Sequence, residues 1–159
     1  MGFKKGKGTG SITHLQKKLA KLGELPATLD NELKILAMEM ADTAINMAPT
    51  YTNKLRESIK YRRIGSERNA KGQFVKGGLG IHIVELIHKK DYFAKVHAEM
   101  SVGRPGPKFK QPSQHSVDVA AEAGEVAGGL FMTRAAQKYE LIITQRLGGK
   151  ADQFIRTLF

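Results

Sequence analysis

A chain of 159 residues with 41% apolar content is long enough to bury one hydrophobic core and fits a single domain over 1–159. No run is apolar and long enough to cross a bilayer, the start lacks a signal-peptide pattern, and the absence of cysteine excludes disulfides and thiolate metal sites. The net charge of +11, from 26 basic against 15 acidic residues, favours an anionic contact such as nucleic acid or an acidic protein surface.

Residues 1–10 hold three lysines and four glycines, with Phe3 the only apolar residue after Met1. Such a basic arm orders only against a partner. Ser11 is placed to cap a short basic helix with Ile12, Leu15, Leu19 and Leu22 on one face, closed by Gly23. Pro26 suits the first turn of a second helix. Leu29, Leu33, Leu36, Ala37, Met40, Ala44 and Met47 form its apolar stripe over about six turns. Pro49 ends it at Ala48.

After a Thr/Asn turn, Leu55, Glu57, Ile59 and Tyr61 alternate with Arg56, Ser58, Lys60 and Arg62. That period predicts a strand over 55–64. A polar, glycine-rich hairpin tip follows over 65–78. The second strand, 79–88, is apolar on both faces, with Ile81, Ile83 and Ile87 on one and Val84 and Leu86 on the other. A strand covered on both sides, or shared with a second copy of the chain, reads this way. A third strand is expected over 92–100, with Tyr92, Ala94, Val96, Ala98 and Met100 inward.

Residues 101–129 carry three prolines and five glycines and read as a long projecting loop with room for a helical turn or a short strand near 117–123. The last helix is expected over 130–147, burying Phe131, Ala135, Tyr139, Ile142, Ile143 and Leu147. Gly148-Gly149 is expected to interrupt it, leaving 148–159 as a hinged tail with Phe154, Ile155, Leu158 and Phe159 at helical spacing. The order predicts an α+β fold: a small antiparallel sheet packed by a long N-terminal helix and a C-terminal helix.

No catalytic constellation accompanies this pattern. His82 and His88 share a strand parity, but a metal site needs a third ligand and an orienting shell. Surface or interface histidine is the expected reading. HExxH, P-loop and GxSxG patterns are absent. Glu39 and Asp42 fall on the polar side of the second helix and read as a solvated face. No metal or cofactor is expected. Arg56, Lys60 and Arg62 make a basic stripe suited to sequence-independent phosphate contact. No helix offers a polar face of the kind that reads bases.

The stretch Ala48-Pro49-Thr50-Tyr51-Thr52-Asn53-Lys54-Leu55-Arg56-Glu57-Ser58-Ile59 resembles the tail-completion, or neck, proteins of long-tailed bacteriophages. In that family a helix ends in Ala-Pro, a Thr-Gly turn follows, and Leu then Ser-Ile open a strand. Here Asn53 stands at the glycine, and Asn tolerates a left-handed backbone better than most residues. Tyr92-Phe93-Ala94-Lys95-Val96 resembles the family's Tyr-Ala strand, although His97-Ala98-Glu99-Met100 replaces its usual continuation. Leu130-Phe131-Met132-Thr133-Arg134-Ala135-Ala136 resembles the opening of its last helix.

The resemblance implies a non-enzymatic virion protein, assembled in the host cytoplasm into a neck ring of six copies that joins head to tail. Head-completion or adaptor proteins would lie above it, and a tail terminator or tail tube protein below. A tail terminator capping the tube is the nearest alternative, and a non-specific nucleic-acid-binding protein is the alternative from another class. Subunit or ring contacts are expected at Phe154, Ile155, Leu158 and Phe159, at Phe74 in the hairpin tip, at Val84 and Leu86, and at Phe109 in the long loop. Contact with an anionic partner, packaged DNA included, is expected at Lys4, Lys5, Lys7, Arg56, Lys60 and Arg62.

Overall fold

The computed structural model describes residues 9–49, 53–65, 79–87, 96, 100, 102 and 112–158. Its elements are α1 (Thr9–Leu22), α2 (Leu25–Met47), α3 (Asn53–Glu57), β1 (Ile59–Gly65), β2 (Gly80–Leu86), α4 (Gln114–Glu122) and α5 (Phe131–Leu158). The fold is α+β: a two-stranded antiparallel sheet and a long C-terminal helix both pack on the long N-terminal helix α2.

α2 starts with proline in its first turn and stops where Ala48, extended ahead of Pro49, cannot continue it. Its 23 residues span about 34 Å. One flank faces α5 and the other faces the sheet. The buried face is built mostly from small residues, Ala37, Ala41, Ala44 and Ala48, with Leu36 and Met47. Small side chains let two partners approach one helix closely. Phe131, Ala135, Leu55, Ile59, Val96 and Met100 complete the core around Ala44.

In the sheet, Ile59 pairs with Leu86, Tyr61 with Val84 and Arg63 with His82. These residues share the inner face. Ile59 is buried, and Tyr61, Val84 and Leu86 pack on the core. The opposite parity, Lys60, Arg62 and Ile64 with Ile81, Ile83, Glu85 and Ile87, forms the outer face.

Several expectations are corrected. The chain from Asn53 to Glu57 is a helical turn, so β1 begins at Ile59. Leu55 and Ile59 are four residues apart, and both are buried, so helical spacing accounts for them as well as alternation does. Val96 is helical rather than extended, and the Met100 N–H donates to its carbonyl. The rest of the expected third strand lies outside the described residues. Ser11 falls inside α1, which begins at Thr9.

The described part of 101–129 is not a projecting loop. Ser113 caps α4, accepting from the Ser116 N–H, and Pro112, Ser116, Ala120 and Ala127 are buried. Gly128 N–H donates to Met47 O and Gly129 N–H to Met100 O, so this segment is tied to the end of α2.

Gly148-Gly149 does not interrupt the last helix, which runs on to Leu158. Leu158 is buried, so the expected hinged tail is the last turns of α5. A Cβ at either glycine meets nothing within 4 Å. Gly148→Ala and Gly149→Ala are therefore each expected to stabilise the protein by about 0.5–1 kcal/mol, read as a raised Tm. A hinge requiring glycine would show the opposite sign.

Candidate functional site

The surface with functional potential is the hairpin and what clamps it to α2. The clamp is Asp30. Its Oδ1 accepts from the Gly80 N–H at 2.6 Å and lies 2.9 Å from His82 Nε2. Its Oδ2 accepts from Arg63 Nε at 3.0 Å and pairs with Arg63 Nη2 at 2.9 Å. The other His82 nitrogen, Nδ1, is 2.8 Å from the Tyr61 hydroxyl, and the two rings stack with centroids 5.9 Å apart. One carboxylate thus fastens both strands to the first half of α2.

Gly80 has a steric role here. A Cβ at this position would lie 2.6 Å from Arg63 Nε, inside the guanidinium that pairs with Asp30. Burial pushes the Asp30 carboxyl up, but hydrogen bonds from Gly80, His82 and Arg63, with the Arg63 charge, outweigh it and hold it below its ordinary value. Burial, joined by the Asp30 charge, pushes the Tyr61 phenol up.

The Tyr-His-Asp chain invites comparison with a proton relay. However, only 4% of the His82 side chain is exposed, and every polar end of the network meets another member of it. Its evident work is structural. Of the expected surface or interface role, the surface reading does not hold for His82, whose side chain is enclosed between Asp30 and Tyr61. Among the described residues, no group of three or more His, Asp or Glu could hold a metal ion.

The far flank of α2 is tied to α5 in the same manner. Arg146 donates from Nε to Glu32 Oε1 at 2.7 Å and from Nη1 to Glu39 Oε2 at 2.7 Å. Glu39 is thus paired rather than simply solvated. Below this pair, the Thr43 hydroxyl lies 3.4 Å from the Tyr139 hydroxyl.

The expected anionic-contact stripe comes apart. Arg56 lies on α3, and its fork donates to Ala48 O at 3.2 Å and Asn46 O at 3.4 Å. It closes the C-terminal end of α2, where a cation is favoured, and burial lowers its pKa. Arg62 stays on the outer sheet face, where its Nε meets Glu85 Oε1 at 2.5 Å. Lys60 is exposed on the same face beside a cleft of about 340 Å³ lined by Ile45, Arg56, Glu57 and Ile59. Lys4, Lys5 and Lys7 lie outside the described residues, as do Phe74, Phe109 and Phe159.

Of the expected interface residues, Val84 and Leu86 face inward onto the core. Leu158 is buried, Phe154 is half-buried beside Thr28, and Ile155 remains 42% exposed. The uncovered apolar residues of the hairpin are instead Ile81 and Ile87, exposed at 52% and 56%, with half-buried Ile64 and Ile83 between the strands. The two-faced apolar pattern of β2 already implied this second surface.

A family model described as "Bacteriophage HK97-gp10, putative tail-component" matches residues 13–97, more than half of the chain. The chain belongs to the HK97-gp10-like family. It is a structural component of a bacteriophage tail, and so a virion protein. The match runs from α1 through the hairpin and includes the Asp30 clamp. The Ala-Pro junction and the Tyr92–Val96 block fall inside it, while Leu130–Ala136 falls outside. No curated protein and no solved structure is similar enough to match. No helix among the described residues is long and apolar enough to cross a membrane.

Asp30→Ala should lower stability at pH 7 by about 1–3 kcal/mol, since a half-buried carboxylate with several donors is removed. The pH dependence has a definite sign. A carboxyl held low in the fold stabilises it above the unfolded value of about 3.9, and that contribution is lost as pH falls through the lower folded value. The stability gap between wild type and Asp30→Ala, measured by denaturant melts, should therefore be widest above pH 5 and close below pH 4.

Proposed function

We propose that this tail component is a neck protein. In this reading it forms a closed ring of six copies that completes the tail and joins it to the head. The partners implied are head-completion or adaptor proteins on one side and the tail terminator or tail tube on the other.

The observation that supports the reading best is the outer face of the hairpin. Ile81, Ile83, Ile87 and Ile64 line a sheet face that nothing in the chain covers among the described residues. Covering such a face is worth about 25 cal/mol per Å² of apolar surface removed from water. The rim charges Lys60, Arg62 and Glu85 suit a contact that must be selective as well as apolar. A tail component has copies of itself and adjoining rings to supply that cover. A head-to-tail contact between copies closes into a ring when the rotation per copy divides the circle.

The nucleic-acid reading has weaker support. Two of the three residues of the proposed stripe already have protein partners, Arg56 in backbone carbonyls and Arg62 in Glu85.

The test is the mass and shape of the purified protein across concentration, by native mass spectrometry and electron microscopy. A six-membered ring is expected. Ile83→Glu, placed in the middle of the outer face, should leave the melting transition of the subunit within a few degrees and abolish the ring. It should also block joining of heads to tails in a complementation assay. A wild-type protein that stays monomeric at all concentrations, in the presence of tails, would overturn the reading.

A further inference from the structure

α1 is the least accounted-for element of the fold. Among its described side chains Lys18 and Leu22 are half-buried, and the helix meets α5. Its apolar ridge points elsewhere: Leu15 is 54% exposed and Leu19 is 56% exposed. The helix is cationic beside that ridge, with Lys17 and Lys21 exposed and no acidic residue between His14 and Leu22.

α2 carries a bare stripe of the opposite character. Ile35 and Met38 are exposed at 45% and 46%, one turn apart on the side away from both α5 and the sheet. The stripe begins beside one exposed cation, Lys34, and from Ile35 to Met47 the helix then has two acidic residues, Glu39 and Asp42, and no further basic one. Asp42 is exposed one turn beyond Met38.

We infer that α1 of one copy packs along the Ile35–Asp42 stripe of α2 in the next copy. This rests on the ring reading and names its second contact. Leu15 and Leu19 stand four residues apart and Ile35 and Met38 three apart, the two ridge spacings that interlock when helices cross at a shallow angle. Lys17 and Lys21 then lie against Asp42 and the outer edge of Glu39. The outer sheet face is the poorer seat for α1, because Lys60 and Arg62 repel a cationic helix. The stripe's own α1 is seated on α5 and only two residues, Gly23 and Glu24, separate it from α2, whereas the α1 of a neighbouring copy can present its exposed Leu15–Leu19 ridge while staying on its own α5. Passing α1 onward around the circle makes a head-to-tail contact, which closes a ring rather than a pair.

The absence of cysteine gives a clean test. In the full chain, Leu19→Cys with Met38→Cys should oxidise to a ladder of covalent oligomers up to the ring on a denaturing gel. Either single substitution should give no species beyond a dimer. Both residues are exposed in the monomer, so folding is preserved and is checked by thermal melt. A fast-migrating internally closed monomer would mean that α1 folds onto its own α2 and would overturn the inference. A ring that is intact by native mass but gives no ladder would overturn it too, leaving the ring reading standing. A chain that is monomeric throughout would remove both. Charge exchange supplies an independent arm. Lys17→Glu with Lys21→Glu should weaken self-association at least about tenfold, and adding Asp42→Lys should restore it. No rescue by the exchange would count against the pairing.

Discussion

Everything in this fold depends on α2 serving two partners at once. A helix that packs on one side needs a single apolar stripe, but α2 must present two, one to the sheet and one to α5. It does so with alanines at 37, 41, 44 and 48 where the approach is closest, and with larger residues, Leu36 and Met47, at the margins. Phe131 then fills the wedge between the layers and is fully buried. Such an arrangement has little apolar area per residue on the helix itself. Polar clamps compensate: Asp30 for the hairpin and the Glu32–Arg146–Glu39 group for α5. Each clamp sits at a flank, where apolar packing alone would permit sliding. Leaving the largely enclosed Asp30 and His82 half-partnered would be costly, so that clamp also selects the register of the hairpin against α2, while the Arg146 bridge is the more exposed of the two.

The division of the hairpin into two faces follows from this. With the inner parity committed to α2, the outer parity is left to whatever the chain or its neighbours can supply. A two-stranded sheet is marginal in isolation, and one packed face is the least that makes it stable. The outer isoleucines are not needed for that. Their presence on an otherwise charged surface is the feature on which the proposed contact between copies rests.

How much of this was legible in sequence depends on the element. The period of α2, its stop at Pro49 and the opening of the last helix at Phe131 were plain, because long stripes and prolines leave little choice. The two-sided pattern of β2 was legible too, though the faces were not yet assigned to core and surface. Short segments were ambiguous for a physical reason. Leu55 with Ile59, and Val96 with Met100, satisfy periods of both two and four, and tertiary packing put Leu55 and Val96 in helical conformation. The glycine pair at 148 and 149 misled because glycine weakens a helix by only about 1 kcal/mol each, less than the packing of Leu158 and the flanking turns restores. The Asp30 clamp was invisible. Its members are 33 and 52 residues apart in the chain, and no local pattern marks a lone Asp as the acceptor for a strand.

The charge of the chain must be read in the same light. A balance of +11 suggests an anionic partner, but a basic residue already held by the fold is not available to one. Of the six described arginines, Arg56 caps a helix end, Arg62 meets Glu85, Arg63 holds Asp30, Arg134 donates to Val126 O, Arg146 bridges two glutamates, and Arg156 is exposed near the end of α5. Arginine suits these posts because its planar fork can satisfy two acceptors at once. The lysines are distributed differently: Lys17, Lys21, Lys34, Lys54 and Lys60 are all exposed. Much of the apparent excess of arginine is therefore architecture, and the charge left for partners is carried largely by lysine. A lysine-rich surface attracts through long-range field rather than bidentate recognition, which suits approach and orientation of a neighbouring protein better than reading of a nucleic acid.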